Sequence, residues 1–145
     1  MYKHILIPTD GSPLSDMAVR QGIALAKSIA ARVTSITVTP TFHTFAVEPM
    51  MISDTPAQYE RDSAAWAAKC LGAVAAAAGA AGVACKTVHA IHDHPHQSII
   101  ETAKREGCDL IFMASHGRKG VAALVLGSET TKVLTHSKIP VLVCR

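Results

Sequence analysis

The densest run of potential chemistry in the chain is residues 113–134, MASHGRKGVAALVLGSETTKVL. An apolar stretch gives way to Ser115, His116, Gly117, Arg118, Lys119 and Gly120, and Gly127, Ser128, Glu129 and Thr130 follow. Glycines, cations and hydroxyls at this density exceed what a turn needs and suit an anion, above all phosphate. A helix starting near Ser128 leaves its first N–H groups unpaired, at the positive end of its dipole, where phosphate is favoured. Gly127 lets the backbone approach closely, and Ser128 and Thr130 add hydroxyl donors. A second polar run, Pro8-Thr9-Asp10-Gly11-Ser12, supplies a carboxylate. A third, His92-Asp93-His94-Pro95-His96, offers imidazoles of the kind that ligate zinc or nickel. A closed zinc site needs four ligands, so the remainder must come from elsewhere in the chain.

These runs need elements to position them. Residues 3–8 are short and apolar and read as a buried strand. Ser12 suits a helix N-cap and Pro13 the first helical position. Leu14, Ala18, Gly22, Leu25 and Ile29 form the inward stripe of that helix. Residues 33–39 are β-branched and read as a second strand. Residues 40–56, with Pro40, Pro49 and Pro56, make a long connection of the kind that covers sites. An alanine-rich helix is expected over 57–81, with Trp66, Cys70, Ala73 and Ala77 inward and Gly79 and Gly82 fraying its end. A strand over 83–91 and a loop over 92–96 precede a helix over 98–106 that Gly107 stops. Residues 109–114 are apolar throughout, as in a strand covered on both faces. A helix over 128–136 and a strand over 139–144 close the chain; Pro140 suggests that the last strand is an edge. Strands alternating with helices predict an α/β fold, a doubly wound five-stranded parallel sheet with helices on both faces. In such sheets ligands sit beyond the carboxyl ends of the strands, where strand order reverses.

Composition narrows the function. With 145 residues, 49% of them hydrophobic, the chain is expected to form one domain, 1–145, with a real core. A formal charge of +3 without a dense basic run or interleaved aromatics argues against nucleic acid. Four dispersed cysteines contain no CxxC pair. No signal-peptide core and no membrane-length apolar stretch are read, so a cytoplasmic location with reduced thiols is expected.

Taken together, ILIPTDGS at the start, the strand SITVTP, the strand and loop DLIFMASHG, the GS at 127–128 and the closing IPVLVCR resemble the universal stress proteins of the single-domain, ATP-binding-motif kind. The family motif is glycine, two residues, glycine, nine residues, glycine and then Ser or Thr. Gly117, nine residues, Gly127 and Ser128 fit it, while Ala114 stands where the first glycine falls. The resemblance implies ATP with Mg²⁺ as ligand. It assigns Asp10 to the ribose hydroxyls, Pro8, Thr9, Val38, Met113 and Ala114 to the adenine pocket, and His116 and Gly117 to ribose and phosphate. It gives Gly127, Ser128, Glu129 and Thr130 to the phosphates, with Glu129 pointing outward, and leaves Arg118 and Lys119 to add charge if their loop closes. It also implies a homodimer through the last strand, 139–145.

Fast catalysis is not expected. The chain has no GxxxxGK[ST] sequence. Ser115, His116 and Asp10 are types that could form a triad, but adjacent Ser and His seldom face each other. No base is placed for water attack on a γ-phosphate, so any ATP hydrolysis should be slow. The expected role is a nucleotide-binding sensor or switch in stress response. The alternatives are a dimeric protein-interaction module without nucleotide and a metal-binding protein using His92, His94 and His96.

Overall fold

In the computed structural model, which describes residues 1–42, 55–117 and 125–145, the first apolar run forms β1, His4–Pro8. It pairs in parallel with β2, Arg32–Thr39, on one side and with β4, Leu110–Ala114, on the other. β3, Cys85–Ile91, extends the sheet beyond β2, and β5, Val141–Cys144, extends it beyond β4. The order is therefore β3-β2-β1-β4-β5, all parallel, with β3 and β5 at the edges. The expected doubly wound α/β sheet of five strands is what forms, and Pro140 directly precedes the β5 edge.

The pleat sorts the core into two layers, because successive side chains on a strand face opposite sides. Ile5, Ile7, Leu110, Phe112 and Ala114 join one buried cluster, while Leu6, Ile36, Ile111 and Met113 join the other. The first layer lies under α1, Pro13–Ser28, and α2, Pro56–Ala81. The second lies under α3, Pro95–Glu106, and α4, Ser128–His136.

Helix starts follow local rules except in two places. Ser12 caps α1 by accepting from the Ser15 amide at 3.2 Å, with Pro13 at the first helical position as expected. Thr55 caps α2 in the same way through the Gln58 amide at 3.1 Å. The expected start of α3 at residue 98 is three residues late. Pro95 opens that helix and His94 is its N-cap, although the His94 side chain does not cap it. For α4 the N-cap is Gly127, so Ser128 is the first helical residue and not a cap.

Two expected stripes are corrected. The buried side of α1 is Ser15, Ala18, Val19, Gly22, Ile23 and Ala26, leaving Leu14, Leu25 and Ile29 only half-buried. In α2 the buried line is Tyr59, Ser63, Ala67, Leu71, Val74 and Ala78, one residue beyond the expected Trp66, Cys70, Ala73 and Ala77. In an alanine-rich helix the apolar pattern is nearly uniform, so only contact with the sheet fixes the rotation. Gly79 stays helical, and Gly82 ends α2 in the left-handed conformation at φ 73°. By length and composition α2 is also apolar enough to cross a membrane, at a mean hydropathy of 1.4, contrary to the sequence expectation. Alanine produces that value, and one side of the helix packs on the sheet while the rest is largely exposed. Of the expected 40–56 connection, residues 43–54 lie outside the described residues, as do Arg118 and Lys119.

Candidate functional site

Strand order reverses between β1 and β4, and the loops leaving their carboxyl ends flank that point, where ligands of such sheets sit. Thr9 and Asp10 leave β1 there. The Thr9 amide bonds the Ile36 carbonyl at 2.8 Å and its carbonyl accepts from Thr37 Oγ1 at 2.7 Å, fixing the exit from the strand. Ser15 Oγ donates to Thr9 Oγ1 at 2.9 Å and accepts from the Asp10 amide at 3.2 Å. Asp10 Oδ1 accepts from the Ser12 amide at 3.0 Å, a side-chain turn that orients the carboxylate. Sequence reading missed Ser15 and Thr37 as the residues that fix this loop. A hydroxyl three positions after an N-cap is a usable signal for Ser15; nothing local marks Thr37.

The other oxygen of that carboxylate faces the loop after β4. A Cβ on Gly117 would overlap Asp10 Oδ2, so glycine is what lets the two loops meet. The β4 loop is in turn sewn to the start of α4. Gly127 N donates to the Ser115 carbonyl at 2.8 Å, and Thr130 Oγ1 donates to the Ala114 carbonyl at 3.0 Å. A Cβ on Gly127 would stand 3.2 Å from the Ser115 carbonyl oxygen and 3.3 Å from His116 Cα, a tight fit. Asp10, Gly117 and the first amides of α4 therefore lie at one end of the sheet, joined through residues 114–117.

The remaining expected residues distribute around this end. Pro8 is half-buried at the last position of β1, and Val38 is half-buried near the end of β2. Met113 is buried in the α3–α4 layer, against which Val38 also packs. Ala114 goes the other way: its methyl is buried in the α1–α2 layer, so the residue that departs from the glycine motif fills core on that side. Thr130 is buried and its hydroxyl is engaged with Ala114, whereas Ser128 is exposed.

Two side chains behave unlike simple ligand contacts. Glu129 turns to α3: its Oε2 accepts from the His96 amide at 2.8 Å and lies 3.1 Å from His96 Nδ1, and its Oε1 accepts from Lys132 at 3.1 Å. Burial pushes the Glu129 carboxyl up, but the His96 amide, Lys132 and the His96 ring outweigh it and hold the group below its ordinary value. The carboxylate thus caps α3 from another helix, in keeping with its expected outward aim. Contrary to expectation, Ser115 and His116 do face each other, with Oγ and Nδ1 3.0 Å apart. Among the described residues His116 Nε2 is buried without a hydrogen-bond partner, so no carboxylate there completes a triad. Among the described residues no three His, Cys, Asp or Glu side chains gather as a metal-ligating group.

A doubly wound parallel sheet with a carboxylate, a glycine and a helix start at its switch point has the form of an open α/β domain that takes ligands beyond the carboxyl ends of its strands. The model of the universal stress protein family matches residues 1–145. The chain is 31% identical to universal stress protein MJ0531 of Methanocaldococcus jannaschii, over 100% of this chain and 83% of that protein. Its fold superposes on that of MJ0577 from the same organism with a TM-score of 0.82 at 27% identity, covering 99% and 95% of the two chains. The chain belongs to the universal stress protein family. The fold also matches a universal stress protein in complex with cAMP (TM-score 0.69, 23% identity, 99% and 97% covered) and one from Archaeoglobus fulgidus in complex with dAMP (TM-score 0.70, 14% identity, 99% and 98% covered).

Proposed function

We propose that this chain binds an adenine nucleotide, ATP with Mg²⁺ foremost, in the cleft between the ends of β1 and β4, and that it works as a sensor or switch. The observation that carries the reading is the start of α4. Its N-cap is Gly127, and among the described residues no side chain caps it, in contrast to α1 and α2; it is tied through residues 114–117 to the Asp10 carboxylate. The first amides of a helix have no intrahelical acceptor, and phosphate satisfies them and the dipole together. Asp10 is oriented to accept ribose hydroxyl protons, and Pro8, Thr9, Val38, Met113 and Ala114 stand near the base. His116, Gly117, Gly127, Ser128, Glu129 and Thr130 serve ribose and phosphate, Glu129 and Thr130 through their backbone only. Bound Mg²⁺ would neutralise phosphate charge. The complexes of related proteins with cAMP and dAMP support an adenine nucleotide as the ligand class.

Calorimetry with ATP and Mg²⁺, set beside AMP and cAMP, tests this directly. ATP should release heat and raise the melting temperature, and Gly127→Val should abolish both, because the larger side chain cannot fit against Ser115 and His116. Absence of heat and thermal shift at millimolar nucleotide refutes the proposal.

The β5 edge supports a second element of the reading, a homodimer in which the last strands pair. Leu142 is 40% exposed on that edge, and an open parallel-sheet edge invites pairing. Light scattering should give a dimer mass that Leu142→Lys shifts toward monomer; a wild-type monomer at all concentrations refutes it.

A further inference from the structure

Four imidazoles stand in a row on the α3–α4 side. His92 and His94 have ring centroids 5.8 Å apart, His94 and His96 6.1 Å, and His96 and His136 5.7 Å. The last contact joins the start of α3 to the final turn of α4, forty residues along the chain, and no local spacing would suggest it.

The hydrogen bonds of the last pair fix its chemistry. His136 Nδ1 lies 2.8 Å from the Lys132 carbonyl oxygen, which can only accept, so Nδ1 carries the proton. His96 Nδ1 lies 3.1 Å from Glu129 Oε2, and the lowered carboxyl is ionised, so that nitrogen is a donor as well. In the neutral rings both Nε2 atoms therefore carry lone pairs. An imidazole whose far nitrogen donates to a carboxylate or a backbone carbonyl is the usual form of a metal-binding histidine. His92 is set the opposite way: its Nδ1 accepts the His94 amide at 2.9 Å, which leaves the proton on Nε2.

We propose that His96 and His136 together bind a borderline divalent cation, zinc foremost, through their Nε2 atoms, clipping α3 to α4. Two imidazoles on one ion with Zn–N bonds near 2 Å place their ring centroids about 5 Å apart. The observed centroid separation of 5.7 Å lies within about 1 Å of that value. As no third ligand stands in place among the described residues, water takes the remaining positions. Glu129 and the Lys132 carbonyl are the outer-shell partners. The site lies outside the nucleotide cleft and does not depend on the proposed nucleotide.

The full chain without a tag, stripped with EDTA, is titrated with Zn²⁺ alone by calorimetry and native mass spectrometry. One ion per chain is expected. His96→Gln and His136→Gln should each weaken binding at least about tenfold, and Glu129→Gln about 10–100-fold, while His92→Gln should leave it unchanged. Histidine ¹⁵N spectra should move at Nε2 of His96 and His136, with both Nδ1 protons retained. Failure to bind Zn²⁺, or wild-type affinity in the His136→Gln protein, whose exposed site carries little risk to folding, overturns the proposal. The second result would place the ion on the 92–96 segment instead.

Discussion

Replacing Gly117 by alanine isolates the contact that joins the two halves of the cleft. Gly117 is not at a positive φ, so alanine brings no backbone strain and its effect comes from the added methyl. That methyl would overlap Asp10 Oδ2 and stand 3.5 Å from Asp10 Cγ. The carboxylate cannot turn aside freely, because Oδ1 holds the Ser12 amide at 3.0 Å. Either Asp10 gives up that bond or the β4 loop retreats, and in both cases the carboxylate and the α4 amides lose their alignment. If Asp10 accepts a ribose hydroxyl, losing that charge-assisted bond costs about 1.5–3 kcal/mol. This corresponds to about 10–150-fold in Kd. Calorimetry with ATP and Mg²⁺ measures it, with Gly79→Ala as control: nothing lies within 4 Å of a Cβ there, so affinity should hold and α2 should gain up to about 1 kcal/mol. A Gly117→Ala protein that binds within about twofold of wild type would refute the reasoning.

Gly22→Ala should destabilise the fold by about 1–3 kcal/mol, since its Cβ would come 2.6 Å from Ile7 Cδ1 and 3.3 Å from Phe112 Cδ1; urea unfolding checks it. Asp109 accepts the Lys3 and His4 amides at 2.8 and 3.0 Å. Burial pushes its carboxyl up, but the amides of His4 and Lys3 win and hold it below the ordinary 3.8. A carboxyl with a depressed folded value stabilises fully above its unfolded value, and the contribution fades as pH falls through the folded one. Asp109→Ala should therefore lose about 1 kcal/mol at neutral pH and show a shallower loss of melting temperature below about pH 4. Burial pushes the Cys108 thiol up to about 11, so at pH 7.5 mass spectrometry should find it alkylated only when urea unfolds the chain.

The fold was largely legible because its signals are local. Ser12 and Pro13 announce α1, Gly107 ends α3 in the left-handed conformation at φ 70°, and the continuous apolar run of β4 reads as a strand buried on both faces. The run after β4 and the run after β1 were legible as polar loops, and the alternation of elements was enough to put them at one end of a parallel sheet. The rotation of α2 was not legible, since alanine on every side gives no stripe to read.

What the sequence determined by itself was the set of elements, their parallel sheet and the residue types gathered at its open end, because propensity, capping and apolar period act over a few neighbouring residues. Tertiary structure alone decided which atoms meet. Gly117 carries no mark of Asp10, which lies more than a hundred residues before it, yet the fit of the two loops depends on its missing side chain. Glu129 looks like an ordinary first-turn acid of α4, but packing of the two helices makes it a cap of α3. Such contacts cost chain entropy that only a formed core repays, and that is why no short stretch of sequence records them.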